Sequence, residues 1–139
     1  MSRENLDLVR SLLAPWERGD FSSAEWAHPE IEFVFADGPT PGTWRGLAEM
    51  NRGFRELLSA FEGYRAKAEE YREIDDERVL VLISRSGRGR TSGVKLEGVA
   101  RHAALIFHLS GGRVTRLILY FDPNRAFADL GLADAGVRE

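Results

Sequence analysis

From residue 64 onward the chain alternates strand-forming runs with short turns, and this limits its fold more than any other feature. Residues 64–74 read as a polar, half-exposed strand, and Asp75-Asp76 as a turn. Arg78-Val79-Leu80-Val81-Leu82-Ile83-Ser84 is rich in β-formers and reads as a buried strand. A glycine-rich hairpin connection over 87–93 follows, then a strand over 94–109. The tight turn Ser110-Gly111-Gly112 leads into a last strand over 114–121. Consecutive strands joined this closely pair antiparallel and leave one sheet face that must be covered.

The first half supplies the cover. Leu6, Val9, Leu12, Leu13 and Trp16 recur at helical spacing, with Pro15 expected to kink or end the helix near Ala14. Ser22 and Glu25 have the spacing of a capping box, which predicts a short second helix to about Ala27, stopped by His28-Pro29. Ile31-Glu32-Phe33-Val34-Phe35-Ala36 reads as a strand, and 38–42 as a loop. Leu47, Met50, Phe54, Leu57, Leu58 and Phe61 form the apolar stripe of a long helix that begins at 43–46 and ends at Gly63. Asp122-Pro123 is an N-cap with proline at the first helical position, opening a short helix that ends at Gly131. The fold class is α+β: a cone-shaped α+β barrel, with a curved, mostly antiparallel sheet wrapped around N-terminal helices. The 139 residues form a single domain, with 1–4 and 133–139 expected to be loose.

Composition narrows function. Asp and Glu number 22 against 19 Lys and Arg, a net charge of −3, which speaks against nucleic acid as a partner. The absence of cysteine excludes disulfides, thiolate metal sites and a cysteine nucleophile. No apolar run reaches the roughly 18 residues of a membrane span, and the polar start, Ser2-Arg3-Glu4-Asn5, lacks a secretory pattern. A cytoplasmic location is therefore expected.

The ordered set of segments resembles the SnoaL-like (ketosteroid-isomerase-like) domains of the nuclear-transport-factor-2-like superfamily. The residues carrying the resemblance are Glu17-Arg18-Gly19-Asp20, the run 33–39, Thr43-Trp44-Arg45-Gly46 and the C-terminal run 112–122 with 126–132 behind it. The resemblance implies a small-molecule ligand, no cofactor, and a homodimer through the outer sheet face. It implies an isomerase- or cyclase-like enzyme, or one of epoxide-hydrolase type working without metal. The alternative is a non-catalytic ligand-binding or dimeric interaction module.

Asp37 is the first candidate for chemistry. Alternation places it on the face of Phe33 and Phe35, and its position resembles that of the general base of ketosteroid isomerase. The competing reading is an Asp-Gly-Pro turn. The oxyanion donors of that family have no counterpart, since the matching stretches offer Leu12 and Leu13, then Ala103, Ala104 and Leu105. Steroid isomerisation is therefore not expected. Arg101 shares the parity of Leu105 and Phe107 and is a candidate for the mouth. His102 and His108 share the opposite face and point outward, so His102 reaches the pocket only if the register slips at a bulge. With no third ligand beside them, no metal site is expected. The expected pocket wall comprises Phe33, Phe35, Trp44 and Phe54 from the first half, and Leu105, Phe107, Leu117, Leu119 and Phe121 from the second. Gly87-Arg88-Gly89-Arg90 lacks the ending of a phosphate loop and reads, with Arg85, as a solvated hairpin.

Overall fold

A computed structural model describes residues 2–38, 41–99 and 101–132. Among these, four helices and a six-stranded sheet follow in the order α1 (Ser2–Glu17), β1 (Ala27–Phe35), β2 (Gly42–Arg45), α2 (Leu47–Ser59), β3 (Phe61–Glu73), β4 (Arg78–Gly89), α3 (Leu96–Val99), β5 (His102–Ser110), β6 (Arg113–Tyr120) and α4 (Pro123–Leu130). The strands lie in the order β2-β1-β6-β5-β4-β3. Every neighbouring pair is antiparallel except β1 with β6, which the helical segments and β-hairpins between them allow to run parallel. The expected α+β cone is thus present as an open, mixed sheet, edged by β2 and β3. No helix among the described residues is long and apolar enough to cross a membrane.

Two cores follow from strand alternation. The inner faces of β1 and β4–β6 meet α1 and α2, burying Val9, Leu13, Phe33, Phe107 and Leu117 in one continuous cluster. The outer face is not left open. α4 lies across it and closes Phe127 and Ala126 over Leu80, Ala104 and Ile106. Asp122 caps α4 by accepting the Asn124 N–H at 3.0 Å, and Gly131 ends it, as expected.

Local details depart from the periodicity at several points, among them the end of α2 at Ser59, so that Phe61 opens β3 rather than closing the helical stripe. α1 starts at Ser2 and runs through Pro15 to Glu17, because Val9, Leu12, Leu13 and Trp16 are all buried and hold it against the sheet. No helix forms over 22–27: Asp20 takes the Ser22 N–H and hydroxyl at 3.0 and 2.6 Å, and Trp26 donates to the Ser23 carbonyl. β1 instead begins at Ala27. Pro29 is tolerated there because the β1–β6 register shifts between Ala27 and Glu32 and β2 pairs only from Glu32 onward. Residues 42–45 form edge strand β2 rather than a helix start, since Trp44 packs inward on Phe33 and Phe35. Finally, the strand expected over 94–109 is divided. A helical turn, α3, buries Leu96, and β4 extends to Gly89, where the Arg88–Lys95 bridge closes a shorter loop.

Candidate functional site

The cone interior is filled. Phe33 stacks on Phe54 with ring centres 4.5 Å apart, and Phe54 in turn meets Trp16 and Phe21. The hollow left among Phe33, Phe54, Leu105, Leu117 and Leu119 measures about 20 Å³, room for a single water at most. Phe107 is wholly buried in the same core. Six residues of the expected wall therefore pack against one another.

The usable space lies to one side, at the mouth. A pocket of about 390 Å³ opens between the β1–β2 end of the sheet, the C-terminal end of α2 and the far end of β4. Phe35, Trp44 and Phe121 line it, joined by Leu57, Phe61 and Leu96. Gly38 and Ala60 complete the rim. Its polar lining side chains are Glu56, exposed on α2, and Arg85, which is only 2% exposed.

Arg85 is a pocket-lining residue that the sequence reading assigned to solvent. Val79, Val81, Ile83 and Arg85 alternate along β4, all buried on the inner face. The signal was present, since carrying the alternation one step past Ser84 places the guanidinium inside. Its carbon lies 4.8 Å from the Phe121 ring centre, a cation–π distance. Arg85 also hydrogen-bonds the Tyr64 hydroxyl. Burial pushes Tyr64 above its ordinary pKa, and the neighbouring Arg85 charge opposes that shift.

Asp37 sits just past the end of β1, beside the pocket residue Gly38. Its carboxylate accepts the Phe121 N–H at 2.7 Å and the Asp122 N–H at 3.2 Å. It thereby braces the end of β1 to the β6–α4 connection and sets the backbone that carries the Phe121 ring.

The other candidates lie elsewhere. The Arg101 side chain is exposed, and its carbonyl accepts the Arg85 backbone N–H at 2.7 Å. His102 is on the outer face with Nδ1 3.3 Å from a Glu69 carboxylate oxygen, as its parity predicts. His108 is half-buried on the same face; burial, with Arg116 and Arg78 nearby, lowers its pKa. A wider depression at the opposite end, about 820 Å³, is rimmed by Glu4, Asp7, Asp76 and Glu77. It is broad and open to solvent, and no group of three metal-ligating side chains occurs among the described residues.

Comparison with known proteins agrees with this architecture. The family model of the SnoaL-like domain matches residues 9–117. No curated protein sequence matches the chain. Among solved structures, a nuclear-transport-factor-2-like protein of unknown function from Burkholderia pseudomallei superposes with a TM-score of 0.73 at 20% identity, covering 90% of this chain and 95% of that one. A SnoaL-like polyketide cyclase candidate from Jannaschia sp. CCS1 gives 0.70 at 14% identity, covering 85% of each chain. TerC, co-crystallised with polyporic acid, gives 0.70 at 22% identity, covering 91% of this chain and 97% of that one. At these identities the structures share the fold.

Proposed function

We propose that this chain, which belongs to the SnoaL-like domain family, holds a small, mostly apolar molecule in the pocket at the mouth of its cone. The observation carrying this reading is the 390 Å³ space between Phe35, Trp44, Leu57 and Phe121, a size typical of small-molecule sites. Flat aromatic walls with few polar groups suit a flat, conjugated ligand. The co-crystallisation of TerC with polyporic acid supports a small-molecule role for this fold.

Trp44 lines the pocket while Trp16 and Trp26 are buried in the core, so ligand entry should quench Trp44 emission. A fluorescence titration with 2-acetylnaphthalene is expected to saturate. Ala60→Phe, at an exposed rim position, is expected to weaken that binding at least ~10-fold by filling the space, with the melting temperature held. Equal binding by both proteins, or none by the natural one, would overturn the reading.

The catalytic form of the proposal uses Asp37 as a general base on a small apolar substrate bearing an acidic C–H or an epoxide. Its place beside Gly38 favours this; its two backbone bonds favour the brace, and the brace is the role we assign. Asp37→Asn presents an NH₂ group to one of two N–H donors. It is expected to cost about 1–2 kcal/mol of stability while 2-acetylnaphthalene still binds. Deuterium uptake into the ketone's methyl group gives the opposing result. Uptake that depends on Asp37, in a variant of unchanged stability, would restore the base.

The proposed homodimer through the outer face would have to form around α4. What α4 leaves there includes the polar strip of His102, Glu69, His108 and Arg116. Such a contact lies on the opposite side of the sheet from the pocket and is compatible with it.

A further inference from the structure

The mouth pocket and the inner hollow are separated in one place by a single side chain. Among the described residues, Leu57 alone lines both. It follows Phe54 by one turn on the buried stripe of α2 and is 9% exposed. On its inner side lies the hollow of about 20 Å³. On its outer side lies the pocket of about 390 Å³. Beside Leu57 the partition is two rings thick. Phe35 of the pocket meets Phe33 of the hollow edge-on at 5.1 Å, and Phe61 of the pocket packs on Tyr64 of the hollow at 5.5 Å. The floor is therefore thinnest at Leu57. The three carbons beyond its Cβ, with the water-sized hollow beneath them, fill about the room that the four carbons of one further fused ring would need.

Given the pocket reading above, we propose that Leu57 is the specificity-determining residue of this site and sets its depth. The ligand is then a molecule whose apolar body stops at Leu57 and whose remaining length stands at the open mouth. Extra apolar length in such a ligand adds little affinity, because it stays in water.

The test compares 2-acetylnaphthalene with 2-acetylanthracene, which is one fused ring longer, by Trp44 fluorescence. The natural protein is expected to bind the two within ~3-fold of each other. Leu57→Ala is expected to bind the longer probe at least ~10-fold more tightly than the shorter, the factor for taking about 55 Å² more apolar surface out of water. Leu57→Val removes one carbon instead of three. It is expected to show an intermediate preference, and it serves if Leu57→Ala fails to fold. Leu105 lines the hollow and not the pocket, so Leu105→Ala enlarges the hollow with the floor still in place and is expected to keep the natural ratio. A preference for the longer probe already present in the natural protein would overturn the role of Leu57 and leave the pocket standing. So would a ratio unchanged in both Leu57 variants. The same gain in Leu105→Ala would trace the effect to a loosened core and overturn that role as well. Binding of neither probe by the natural protein would remove the pocket reading itself, and the depth limit with it.

Discussion

Replacing Phe33 by alanine is expected to lower the unfolding free energy by about 3–5 kcal/mol, the range for deleting a fully packed aromatic side chain. Phe33 is 1% exposed, stacks on Phe54 and meets Phe35 edge-on at 5.1 Å. Its neighbours have no slack. A Cβ built on Gly53 of α2 would lie 3.2 Å from the Phe33 ring and 3.1 Å from Trp44, so the helix already approaches β1 as closely as a bare backbone permits. Removing the ring leaves a void beside the existing 20 Å³ hollow that these elements cannot collapse to fill. Urea unfolding measures the loss directly. For a chain of this length it corresponds to a melting temperature lower by about 10–17 °C. If Phe33 were the wall of a ligand chamber it would border open space and its removal would cost little; a loss below about 1 kcal/mol would show that.

The second large effect is expected at Gly38, where substitution by alanine should cost about 2–4 kcal/mol. Two causes add. The backbone there has φ +89°, a conformation that strains any residue with a side chain. The new methyl group would also lie 2.4 Å from the Phe121 ring, far inside contact distance. The ring has limited places to go, with Phe35 at 6.0 Å and Arg85 across its face. Its remaining route is into the pocket, so Gly38→Ala should weaken 2-acetylnaphthalene binding as well as stability. Denaturant titration with parallel ligand titration checks both, and a variant within about 0.5 kcal/mol of the natural protein with intact binding would contradict the arrangement.

Much of this fold was legible before any coordinates. The helical stripe of residues 47–58 and the alternation in β4 and β5 are local patterns, because each side chain's direction follows from its own backbone period. The Asp122-Pro123 cap is local too. The failures have different origins, local side-chain bonds in one place and a distant partner segment in another. Ser22 and Glu25 have a cap's spacing, yet Asp20 and Trp26 take the neighbouring polar groups. Thr43 and Trp44 join the sheet because Phe33 and Phe35 offer Trp44 a surface. Arg85 was missed for another reason: an arginine near glycines suggests solvent, although its strand parity points inward.

Residue pattern alone was sufficient for the α+β class, the direction of most strand side chains and the outward place of His102. Tertiary structure decided where the empty volume is and what Asp37 does. An internal void is the difference between the space enclosed by several segments and the side chains each contributes, so no single stretch encodes it. Phe33, Phe54 and Trp16, drawn from β1, α2 and α1, close the middle of the cone and leave room only at its mouth. The carboxylate of Asp37 meets its backbone partner 84 positions further along the chain, a distance over which spacing carries no information.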